Sequence, residues 1–156
     1  VSAFRKLTRQ DDMPVQYPAG ITAEHKAVRE RCGLFDVSHM GEFSVRGPQA
    51  EAFLNLVTTN NVTALTEGQI HYSALLNARG TFEDDCLVYR FADRIMMVVN
   101  ASNAAKDFAH ISKHAARFGV QLTDASDETA LLAVQGPKAA EILQGLTATD
   151  LSAIKY

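Results

Sequence analysis

QIHYSALLNARGTFEDDCLVYRFADRIMMVVN, Gln69–Asn100, is the stretch that decides how the rest of the chain is read. Two apolar runs, Tyr72–Leu76 and Cys86–Tyr89, flank a turn-forming segment, Asn77–Asp85, and a third run, Ile95–Val99, stops at Asn100. Runs this short, rich in β-branched residues and bounded by Gly, Asn and Asp, predict strands joined by tight connections. Asp84 and Asp85 stand where the second strand begins. Strand alternation sends Asp85, Leu87 and Tyr89 to one face and Asp84, Cys86 and Val88 to the other, so at most one acid faces a given cleft. Either the pair makes local turn hydrogen bonds to backbone, or one member is a functional carboxylate mounted on a rigid sheet rim.

Working outward, Leu34–Val37 and Gly41–Val45 read as a strand pair, with Gly41 permitting the bend between them. Before them, Ala27, Val28 and Cys32 at helical spacing predict a helix over Thr22–Arg31 closed by Gly33. Val1–Gly20, with Pro14 and Pro18 and little periodicity, is expected to be an irregular lead-in. Pro48 opens a helix whose apolar face is Ala52, Phe53, Leu56 and Val57. Downstream, Ala104, Phe108, Ile111 and Ala115 predict a long helix over Ala101–Phe118, ended by Gly119. Short strands are expected at Val120–Leu122 and Thr129–Val134. The second of these leads into VQGPKA (Val134–Ala139), which matches VRGPQA (Val45–Ala50) in type and order. The chain therefore reads as two related strand, Gly-Pro corner and helix halves sharing one sheet. Hairpins rather than helical crossovers favour an α+β fold, an antiparallel or mixed sheet with packed helices.

The chain has 156 residues, of which 47% are hydrophobic and 21% charged, enough to bury a core and far from a disordered composition. A net charge of −3 gives no electrostatic case for nucleic acid. No apolar run approaches the roughly 18 residues of a membrane span, and no signal-peptide pattern opens the sequence. Cys32 and Cys86 lack CxxC spacing and a His cluster, so no metal site is expected and a reducing, intracellular compartment is.

Other polar candidates have plain structural readings. His39 and His71 lack an acid or Cys at metal-ligand spacing and read as hydrogen-bonding histidines. Ser38 and His39 are adjacent on a predicted strand, point oppositely and cannot form a triad. Met40, Met96 and Met97 read as core filling, although methionine also lines pockets for flat ligands. Asn100 reads first as a helix N-cap and second as a pocket polar group.

Five segments together resemble the aminomethyltransferase, or T-protein, family of the glycine cleavage system. They are MPVQY (Met13–Tyr17), EHKAVRERCGLFDVSHMGE (Glu24–Glu42), YSALLNARGTFEDDCLVY (Tyr72–Tyr89), VVNASN (Val98–Asn103) and LLAVQGPKAAEIL (Leu131–Leu143). Gly80-Thr81 stands where the family usually has a Gly-Gly pair. The resemblance implies transfer of a one-carbon unit from the aminomethyl-loaded lipoyl H-protein to tetrahydrofolate, releasing ammonia and giving 5,10-methylenetetrahydrofolate. It also implies that Asp85 is the essential carboxylate, with Asp84 structural. Met40, Tyr72, Val98 and Asn100 would line the folate pocket with Asp85. Residues 21–156 would be the N-terminal portion of a longer folate-binding domain, with Tyr156 a cut rather than a natural end. A bacterial member would be cytoplasmic, a eukaryotic one mitochondrial. The same scaffold in other hands implies dimethylsulfoniopropionate demethylation, sarcosine or dimethylglycine oxidation, or a folate-binding role in iron–sulfur cluster maintenance.

Overall fold

A computed structural model describes residues 14–154. In chain order the elements are α1 (Ile21–Glu30), β1 (Gly33–Asp36), β2 (Gly41–Arg46), α2 (Ala50–Val57), β3 (Ile70–Leu76), β4 (Phe82–Arg90), β5 (Ile95–Val99), α3 (Ala104–Phe118), β6 (Gln121–Asp124), β7 (Leu132–Gln135) and α4 (Ala139–Gln144). They fall into two compact units, Ser38–Ala130 and the two flanking segments Val1–Val37 with Leu131–Tyr156. This is the α+β fold that the hairpin pattern predicts, with every strand pairing antiparallel.

The central unit is a five-stranded sheet in the order β3-β4-β5-β2-β6. Its inner face carries Val45, Phe43, Leu75, Val88, Met97 and Val99, all buried, and α2 and α3 complete the core with Phe53, Leu54, Val57 and Ile111. Edge-to-face ring pairs join the layers: Phe43 meets Phe108 at 5.1 Å, and Phe53 meets Phe118 at 5.9 Å. The β3–β4 connection is a tight turn over residues 77–81, shorter than the predicted Asn77–Asp85 segment. Asn77 organises it, its Oδ1 accepting from the Arg79 and Thr81 amides at 3.0 and 3.2 Å. Because the turn is satisfied this early, Asp84 and Asp85 lie inside β4 rather than at its start. Helix α3 begins at Ala104 after a 3-10 turn, Ala101–Asn103, and ends at Gly119, whose φ of 58° lets the chain leave in the left-handed region.

The flanking unit is smaller. β1 and β7 form a two-stranded sheet running from Gly33↔Gln135 to Asp36↔Leu132. Residues 14–20, the described part of the predicted lead-in, form a turn in which the Gly20 amide donates to Tyr17 O at 2.9 Å; residues 1–13 lie outside the described chain.

Several expectations change. Leu34–Val37 and Gly41–Val45 do not pair: β1 takes β7 as partner, whereas β2 lies between β5 and β6. The two Gly-Pro halves exist, but each belongs to its own sheet. Gly41 is not the bend, which falls over residues 38–40; it is the first residue of β2. Its role is close approach, since a Cβ there would lie 2.7 Å from both Ala104 Cβ and Val99 Cγ2. Pro48 sits in the corner before α2, where Ala50 N donates to Gly47 O at 3.1 Å. Helix α1 starts and ends one residue earlier than predicted, and the last two strands sit slightly downstream of theirs.

Candidate active site

Antiparallel register decides which residues share the outer face of the central sheet. Tyr72 pairs with Leu87, Leu87 with Val98, and Val98 with Glu42, giving one row across four strands. Two residues along, Ala74 pairs with Asp85. Cys86 pairs with Val99, so the same register continued one step sets Asn100 opposite Asp85. Met40 lies two residues before Glu42, at the same end of the sheet. Tyr72, Asp85, Val98 and Asn100 are thus gathered on adjoining rows, with Met40 at their border. Tyr72 is 60% exposed and Asp85 is exposed, whereas Val98, at 3%, is a buried floor rather than an open wall.

Asn100 is the hinge of the polar end. Its side chain caps nothing, contrary to the N-cap reading. Instead Nδ2 donates to Asp85 Oδ1 at 2.7 Å and to Asp84 Oδ1 at 3.0 Å. One amide group therefore spans two carboxylates that alternation sends to opposite faces. Among the described residues no protein donor meets Asp85 Oδ2, which leaves that oxygen for a ligand.

Asp84 is not a turn residue. It is 6% exposed and faces the core side, where it meets Asp107 of α3, itself 0% exposed. Among the described residues neither oxygen of Asp107 has an amide, hydroxyl or ammonium donor in hydrogen-bond reach, whereas Asp84 is reached by Asn100 and Asn103. Two facing carboxyls can hydrogen-bond only if one carries a proton. Burial, then the Asp84 hydrogen bond and charge, push Asp107 up to about 7. Burial also pushes Asp84 upward, but hydrogen bonds from Asp107, Asn100 and Asn103 outweigh it and hold Asp84 below its ordinary value. Of the two, Asp107 is thus the carboxyl that keeps its proton longer as pH rises. Sequence reading missed this residue, although the signal was present: position 107 lies three after Ala104 and four before Ile111, on the apolar stripe of α3.

The remaining candidates are quieter. Burial, followed by the charges of Asp85, Asp107 and Asp84, pushes the Cys86 thiol up to about 12, so it is an inert core group. His71 is held below its ordinary value by burial. Tyr89, on the outer face, is raised by burial and then by Tyr72 and Glu42. No group of three or more His, Cys, Asp or Glu among the described residues could hold a metal ion. No described helix is long and apolar enough to cross a membrane.

This antiparallel α+β fold has a direct structural counterpart. The crystal structure of glycine cleavage system aminomethyltransferase T from Bartonella henselae matches 85% of this chain and 37% of its own, with a TM-score of 0.76 and 42% identity. The chain belongs to the family described as GCVT N-terminal domain, which matches residues 4–156. Aminomethyltransferases from Deinococcus deserti and from Thermus thermophilus are each 55% identical to it, over 145 and 141 residues. Those alignments cover 92% and 90% of this chain and 40% of each relative. The chain thus spans about 40% of the length of the curated relatives it matches.

Proposed function

We propose that this chain forms the pterin-facing part of a glycine-cleavage aminomethyltransferase, with Asp85 as its catalytic carboxylate. The observation that carries the reading is the Asn100 bridge: an exposed carboxylate is fixed through one oxygen and left open at the other, beside the Tyr72, Leu87 and Val98 row. A flat heterocycle with ring N–H donors needs an apolar wall and a few convergent acceptors, and this donor set fits. Met40, Tyr72 and Val98 supply the apolar contacts, Asp85 the acceptor, and Asn100 further polar capacity through its Oδ1. Tetrahydrofolate, when bound, supplies the amine nitrogens that accept the one-carbon unit. Asp85 places a negative charge at the rim, where positive charge developing on the transferred group is stabilised and a proton is received at Oδ2. Asn100 keeps that carboxylate from rotating. The donor would be an aminomethyl group on the lipoyl arm of an H-protein, and the setting intracellular.

The test is Asp85→Asn in the protein as its host makes it, assayed for ammonia release and methylenetetrahydrofolate formation. Turnover is expected to fall about a hundredfold or more, with tetrahydrofolate affinity by calorimetry within a few-fold. Near-normal turnover would remove Asp85 from the chemistry, and absence of transfer by the unmodified protein would remove the function itself.

A further inference from the structure

We propose that Asp107 is a positioning residue for Asp85, acting from the core side of the sheet through Asp84 and Asn100. The inference rests on the function proposed above only for its kinetic consequence. Its structural part is a chain of hydrogen bonds across a single strand: Asp107 with Asp84, Asp84 Oδ1 accepting from Asn100 Nδ2 at 3.0 Å, and the same nitrogen donating to Asp85 Oδ1 at 2.7 Å. Asp107 and Asp84 are both buried; among the described residues Asp107 has no hydrogen-bond donor on either oxygen, and Asp84 has Asn103 beside Asn100.

Burial first, and then the charged groups around it, make Asp107 the partner whose carboxyl is raised. From β4, Asp84 hydrogen-bonds it, and the charges of Asp84 and, last, Glu83 act on it. The cation recorded against it is Lys106, whose Nζ is 3.9 Å from Asp107 Oδ1 and 3.6 Å from Glu83 Oε2. Lys106 also donates to Glu83 O at 2.7 Å, so it is committed to the start of β4. A neutral Asp107 donates its proton to Asp84 and satisfies the inner carboxylate from below. With Asn103 also donating to Asp84, one hydrogen from Asn100 completes its set, and the second amide hydrogen is free to hold Asp85. Without the Asp107 proton, the buried Asp84 carboxylate is one donor short and competes for both amide hydrogens, because leaving it under-satisfied is costly.

Asp107→Asn retains an N–H donor toward Asp84; Asp107→Ala removes it in a helix that tolerates alanine. In the ligand-free protein, nitrogen-15 spectra should show the Asn100 side-chain amide hydrogens protected from exchange in the parent and in Asp107→Asn. In Asp107→Ala that protection should drop at least about tenfold. With substrates, Asp107→Ala should lose about ten- to a hundredfold in kcat at a tetrahydrofolate KM within twofold, while Asp107→Asn stays within about threefold. If the alanine variant does not fold, Asp107→Leu, close in shape and without a donor, carries the same comparison. Unchanged Asn100 protection in the donor-less variant overturns the inference whatever the enzyme transfers. So does an equal kcat loss in Asp107→Asn and Asp107→Ala. Should the parent transfer nothing, the function fails while the exchange measurement still decides the Asp107 link.

Discussion

The same six-residue pattern, a strand entering a Gly-Pro corner and leaving as a helix, is used twice, and its surroundings make the two copies unequal. In the central unit β2 is buried at four of its six positions, and α2 buries Ala50, Phe53, Leu54 and Val57. In the flanking unit neither β7 nor α4 has a fully buried residue. Both corners share the backbone geometry, with φ of 118° at Gly47 and 132° at Gly136. The corner is therefore a local property, but the stability it delivers is not. A strand with neighbours on both sides and two helices over one face removes far more apolar surface from water than a strand in a two-stranded pair.

That asymmetry can be broken first at the helices. Phe53→Ala, at 0% exposure, should cost about 3–5 kcal/mol in a urea titration. Ile142→Ala in α4, at 50% exposure, should cost about 1 kcal/mol or less. Comparable losses would mean that the flanking unit is as deeply packed as the central one.

A sharper contrast lies at the corners and runs the other way. Alanine at Gly136 would be strained by φ and would also meet Arg31 O at 2.6 Å and Val28 O at 2.7 Å. At Gly47 the added Cβ would meet Val120 Cα at 3.6 Å, an ordinary contact, so only the φ strain remains. Gly47→Ala should cost about 1–3 kcal/mol, and Gly136→Ala should exceed it, read as the loss of protection of the Lys138 amide, which donates to Arg31 O at 2.9 Å. An equal effect would show that the α1 backbone yields to the corner.

The smallest expected effect is a pH dependence confined to the central unit. The folded value of Asp107 is raised to about 7 from 3.8, so its contribution to stability is complete below 3.8 and disappears as pH rises through 7. Between pH 5 and pH 8 the parent protein should therefore lose about a few degrees of Tm relative to Asp107→Asn. Taking the difference between the two proteins cancels His71, whose lowered value works in the opposite direction, with stability lost as pH falls. A difference that does not change with pH would place the shared proton elsewhere.

Much of the central unit is legible in the chain alone. Short β-branched runs, Asn77 with Gly80, and a two-residue turn before Ile95 specify β3, β4 and β5. The four-residue spacing of Ala104, Phe108, Ile111 and Ala115 specifies α3. Period-two alternation separates Asp84 from Asp85 before any coordinates exist, and the five family-like segments single out Asp85, Tyr72, Val98, Asn100 and Met40. Such signals live within one element, where backbone geometry alone sets the direction of each side chain.

Partner choice was not legible. That β1 pairs with β7 across nearly a hundred residues, that Gly41 exists to admit Ala104, and that Asp107 meets Asp84 beneath the sheet all depend on segments distant in sequence. Periodicity shows which face of an element is apolar but not what that face will meet. The meeting is decided when distant surfaces are buried together, and Asp107 becomes a proton holder through that burial first and the second acid packed against it next.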